Sequence, residues 1–289
     1  MSIETTNPFP RRFVFHGNAV AADVFVTKVN GVKQTIYHLI DGQSSLAVIG
    51  GISENEVPEP RFEPPLSEVF FYRGARTSAK GVFEGDNAVT TVHASVRDVR
   101  VTNREKAGSP DLVFRAGEVS LTVRSTYAVD NSKQPSFDYM EVPVFRDLSL
   151  DGQKIELEFN DELMGCTTWH ELQKRYKTHR PFFDSLLFGR HKTASPLNFG
   201  DDIPYSPGSY AICSFVRSIK IGDRTIPGHV LQLHGFGSIY FGEVILNDRE
   251  RRVTMVRTQL GCNHAGGSAM AETDPNGTQV PPDPPPNNG

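Results

Sequence analysis

The run Ile155-Glu156-Leu157-Glu158-Phe159 puts three apolar side chains on one face and two glutamates on the other. That period of two belongs to an extended strand with one buried face. Runs of this kind recur along the chain between Gly, Asn, Asp and Pro, and they commit it to half-buried antiparallel sheets. Ala22–Val29 and Val32–Tyr37 flank Asn30-Gly31, a strong hairpin signal. Further strands are expected at 90–96, 112–115, 119–123, 210–221, 228–233, 238–246 and 252–260, with Gly222-Asp223, Gly235-Phe236-Gly237 and Asn247-Asp248 as turns. The apolar phase flips between Val96 and Val99, which fits a β-bulge near Arg97. Val57–Pro65 holds four prolines and reads as an extended connector.

One segment has a different period. Thr168-Trp169-His170-Glu171 fits a capping box, with Thr168 as N-cap and Glu171 at N3. Trp169, Leu172 and Tyr176 follow at helical spacing. Pro181 interrupts, Phe182–Phe188 is apolar enough for another turn or two, and Gly189 stops it. The reading is one kinked helix or two short ones over 168–188.

These signals divide the chain into a flexible arm (1–12), an N-terminal β-rich part (13–165), a helical segment (166–192), a C-terminal β-rich part (193–267) and a disordered Pro-rich tail (268–289). The tail lacks the apolar residues needed to offset ordering entropy. It carries Pro281-x-x-Pro284 and Pro282-x-x-Pro285, the spacing of polyproline ligands. Val92–Val101 aligns with Ile212–Ile221 at an offset of 120, with two of ten positions identical, and Phe145–Leu150 shares the Arg-x-apolar-x-apolar end. The expected fold is mainly β, with antiparallel sandwich-like sheets forming either one sandwich or two related units, and a single helical segment.

At 289 residues the chain can bury about 75% of its unfolded surface, so a hydrophobic core suffices without staples. A composition 38% hydrophobic and 22% charged excludes collagen-like and wholly disordered chains. The formal net charge of -4 excludes a strongly basic nucleic-acid binder. No run approaches 18 consecutive apolar residues, and the opening MSIETTNPFPRRFVF has no apolar core of a secretory signal. Cys166, Cys213 and Cys262 form neither a disulfide framework nor a zinc pattern, so reduced thiols and a cytoplasmic location are expected.

The chain has no G-x-S-x-G elbow, P-loop, dinucleotide fingerprint or H-E-x-x-H, and no motif names a cofactor. The densest polar set is His229, His234, Glu243, Cys262 and His264. Imidazole, carboxylate and thiolate all ligate first-row metals, and Cys262 with His264 makes a thiol–imidazole pair in a Gly-rich loop. His229 and His234 are five apart and point to opposite faces of a straight strand, so a shared metal needs a bulge between them. A second candidate is basic and aromatic: Lys174, Arg175, Lys177 and Arg180 beside Phe182 and Phe183. Such a segment docks on an anionic surface or partner groove, or packs its aromatics against a sheet.

No stretch collects nucleophile, base and oxyanion donors at a motif spacing. The leading expectation is therefore a non-enzymatic binding or structural β-module that acts through sheet faces and loops on a protein or small-molecule partner. The alternatives are a metal- or thiol-dependent hydrolase or lyase built on the C-terminal His/Glu/Cys set, and peripheral association with an anionic surface through the basic segment.

Overall fold

The computed structural model describes residues 13–30, 33–59, 62–178, 187–190, 209–261 and 264–279. In chain order the strands are β1 (Phe13–Asn30), β2 (Lys33–Ser45), β3 (Gly51–Val57), β4 (Phe70–Phe71), β5 (Ala75–Glu84), β6 (Asn87–Asn103), β7 (Leu112–Ala128), β8 (Ser136–Tyr139), β9 (Val144–Arg146), β10 (Ser149–Leu150) and β11 (Gln153–Phe159). They continue with β12 (Leu187–Arg190), β13 (Ser209–Ser214), β14 (Val216–Ile221), β15 (Arg224–Pro227), β16 (Val230–Leu233), β17 (Gly237–Leu246), β18 (Arg251–Gly261) and β19 (Ala265–Gln279). The helices are α1 (Leu66–Val69), α2 (Asp161–Met164) and α3 (Trp169–Thr178). None of these helices is long and apolar enough to cross a membrane.

The fold is mainly β, as the alternation requires. One sheet runs β12-β13-β17-β18-β19-β1-β2 with β16 beside β17, and the other runs β15-β14-β11-β10-β7-β6-β5-β3 with β4, β8 and β9 attached. The ladders are antiparallel. β1 and β19 of the first sheet pack on β6 and β7 of the second. Their inward residues, among them Val24, Val26, Met270, Val92, Val96 and Leu121, share one core. Alternation places these residues on the inner faces, and burying them drives the two sheets together.

Both sheets carry a line of gaps in the ladder across neighbouring strands, with the register unchanged on either side of each gap. In the first, Gly242, Met255, Ala271, Ala21 and Gly42 stand opposite one another in turn and are left out of the pairing. Positive φ falls on alternate strands of that line: Gly242 (61°), Ala271 (50°) and Gly42 (62°). In the second, Asp98 and Gly117 are skipped between Arg97↔Glu118 and Val99↔Ala116, and Asp98 has φ 51°. The apolar phase flips there as expected, but Asp98 and Gly117 are skipped in step, so neither strand carries the extra residue of a bulge; the register shifts instead between Glu158 and Phe159. Such a ladder gap reverses the alternation and puts two consecutive side chains inward, as at Ala21-Ala22, Met255-Val256 and Met270-Ala271, all buried.

The capping box forms as expected. The Glu171 N–H donates to Thr168 Oγ1 at 3.1 Å, and Glu171 Oε2 accepts from the Thr168 N–H at 3.2 Å and the Thr167 N–H at 2.8 Å. Trp169 and Leu172 turn into the core. The helical reading fails at its far end, where Leu187–Arg190 is strand β12, paired with β13. A ladder along the sheet edge overrides the local apolar pattern there. Phe182 and Phe183 lie outside the described residues, as do residues 1–12.

Other expectations are corrected. The runs at 112–115 and 119–123 belong to one strand, β7. The run 210–221 breaks at Phe215, and its halves enter different sheets, whereas β6 stays in one. The two aligned stretches therefore do not occupy equivalent places. The N- and C-terminal β-rich parts also interleave: β1 and β2 sit beside β19, and β14 pairs with β11.

The expected tail is strand as far as Gln279, with Met270, Ala271 and Thr273 buried. Its composition reads as loop, but ladders on both sides satisfy its backbone. Pro275 lies past the last β18 pairing, Val253↔Thr273, so one of its two sides is an open edge, and on the other it pairs with Gly17 of β1. Residues 280–289, with both proline repeats, lie outside the described residues.

Candidate functional site

Antiparallel partners face the same side of a sheet, so the ladders define rows on the outer face of the first sheet. One row is Tyr240, Arg257, Ala269, Asp23 and Ile40, the next Ser238, Gln259, Gly267, Phe25 and His38, the third Ala265, Thr27 and Ile36. β19 contributes only small residues to these rows. A groove of about 750 Å³ opens there, lined on the β1–β2 side by Asp23, Phe25, Ile36 and His38 and on the β18 side by Arg257 and Gln259. An outer sheet face is normally polar, yet Phe25 is 45% and Ile36 65% exposed.

Both walls carry fixed polar groups. Glu243 accepts from Arg257 Nε at 2.6 Å and Nη2 at 2.9 Å. The guanidinium lies 3.6 Å over the Tyr240 ring, whose hydroxyl donates to Gln259 Oε1 at 3.2 Å. The carboxylate holds the Arg257 pKa above its usual value. On the opposite wall, His38 Nε2 lies 2.7 Å from Asp23 Oδ1.

The C-terminal set read from sequence is divided. His229 Nε2 comes within 3.9 Å of Glu243 Oε1. Burial pushes the His229 pKa down, and the nearby Glu243 opposes that shift. His264 sits at the far end of β18, where its N–H donates to Asn103 Oδ1 at 3.2 Å. His234 lies in the turn before Gly237, and Gly237 pairs with Leu260 while Glu243 pairs with Thr254. Six strand positions separate those pairs, about 20 Å. Cys262 lies outside the described residues. Among the described residues no group of three or more His, Cys, Asp or Glu is placed to hold a metal ion.

In the basic segment, Arg175 Nη1 is paired with Glu162 and Lys174 is exposed. Arg180, Phe182 and Phe183 lie outside the described residues, and so does the Lys177 side chain.

Sequence reasoning missed Asp23, Phe25, Ile36, His38 and Arg257. The available signal was Phe25 and Ile36 sharing a face with Asp23 and His38 across the Asn30-Gly31 hairpin. Apolar residues on what should be a solvent face were the clue.

The family described as a domain of unknown function, DUF8256, matches residues 13–199. No curated protein and no solved structure matches the chain.

Proposed function

We propose that this chain, which belongs to the DUF8256 family of domains of unknown function, is a non-enzymatic binding module holding a small ligand in the groove over β19. The single observation that carries the reading is the groove, whose volume of about 750 Å³ falls in the range of ligand sites, roughly 300–1,000 Å³. Two features support it. Phe25 and Ile36 expose apolar surface at the groove. Arg257 is fixed by Glu243 and Tyr240 before any ligand arrives, which lowers the ordering cost of binding. The family match takes in the β1–β2 wall and ends before the β18 wall.

A fragment screen of the full chain by amide chemical shifts tests the reading. Hits should perturb Phe25, His38, Arg257 and Ala269 together, and Ala269→Trp, which fills the floor, should abolish them. Hits that gather elsewhere, or that survive this substitution, defeat the proposal.

A further inference from the structure

The walls of the groove narrow the chemistry of its ligand, an inference that rests on the groove being a binding site. The charged side chains there are paired within the protein, Asp23 with His38 at 2.7 Å and Arg257 with Glu243 at 2.6 and 2.9 Å. Asp23 on one wall works against an anion, and Arg257 on the other against a cation, so net charge gains a ligand little.

What the walls offer is direction. Glu243 takes two of the guanidinium's five N–H donors. Gln259 accepts from the Tyr240 hydroxyl, which orients its amide. Donors and acceptors therefore stand as planar groups in fixed orientations. Beside them lies the Phe25 ring, 45% exposed and packed on Gly267, where a Cβ would meet Phe25 Cε1 at 3.2 Å. An open aromatic ring next to oriented hydrogen-bonding groups, over a floor without bulk, suits a ring with an apolar C–H face and a rim of hydroxyls.

The geometry points to an uncharged saccharide, lying along β19, as the ligand of this groove. From Ala265 to Ala269 the strand advances about 14 Å, which suits a short oligosaccharide better than a single ring.

The test titrates the full chain calorimetrically with uncharged oligosaccharides of glucose, mannose, galactose, xylose and N-acetylhexosamines in both anomeric linkages. Nile red serves as an apolar probe of the groove. At least one saccharide should bind saturably, with affinity changing less than about twofold when salt is raised tenfold, because no charge is neutralised. Phe25→Ala and Gln259→Ala should each weaken binding by about tenfold or more while leaving the circular dichroism spectrum unchanged. Nile red binding that Ala269→Trp removes, with no saccharide bound, overturns the saccharide and leaves the groove standing. Binding confined to sulfated or uronic-acid glycans and lost with salt also overturns it. If the folded chain takes neither saccharide nor probe, both readings fall.

Discussion

Arg251 shows how much one residue can tie together. It is 4% exposed, and among the described residues no carboxylate lies within ion-pair distance. Its guanidinium donates to the carbonyls of Phe137 at 3.2 Å and Cys166 at 2.8 Å and lies 5.4 and 5.8 Å from the Phe137 and Tyr139 rings. A lysine cannot serve both carbonyls with a planar fork. Arg251→Lys should destabilise the protein by about 2–4 kcal/mol in urea unfolding. Asp274 makes the opposite case. Burial, reinforced by Glu250 and Glu272 and opposed by Arg252, pushes its pKa from 3.8 up to about 7. Between those values the folded chain holds a proton that the unfolded chain has released, so stability falls as pH rises through that window. Asp274→Asn should flatten this fall and add on the order of 1–2 kcal/mol at pH 8, measured as unfolding free energy against pH.

At the scale of the element, the line of ladder gaps across the first sheet sets what each strand shows to the outside. Gly242 has φ 61°, and a Cβ there would lie 2.7 Å from the Phe215 ring. Gly242→Ala should cost about 2–3 kcal/mol, the left-handed penalty plus the clash. Ala271 occupies the same line at φ 50° and already carries that strain. Ala271→Gly relieves it while loosening the unfolded chain, so stability should stay within about 1 kcal/mol of the parent. A large loss there in thermal unfolding would mean that the line is not a strained element.

At the scale of the whole molecule, β19 is the strand that joins the two ends of the chain. It lies between β18 and β1, so a chain stopped after Gly267 loses most of the ladder to both. Calorimetry should show one cooperative transition for the full chain and none for the shortened one, since interleaved strands cannot fold as separate halves. Two resolved transitions in the full chain would contradict that cooperativity.

Local periodicity marked the alternating strands, the phase flip between Val96 and Val99 and the capped start of α3, because each depends on a few neighbouring residues. The Asn30-Gly31 signal located the first hairpin but not its register. A loop centred on that pair sets Phe25 opposite Ile36, whereas the observed Asn30↔Lys33 pairing sets it opposite His38. The fate of the C-terminal segment was not legible, because Gly266, Gly267 and Pro275 read as loop until β1 and β18 supply their partners. Arg257 was invisible as a site residue for the same reason: the opposite wall, with Asp23 and Phe25, comes to stand across from it only through β19, whose ladders to β18 and β1 join distant parts of the chain. The sequence by itself determined the strands whose side chains alternate and which of their faces are buried, but not β12 or β19. The tertiary structure alone decided which strands meet, and with that the groove, because pairing between distant segments depends on contacts that no local pattern encodes.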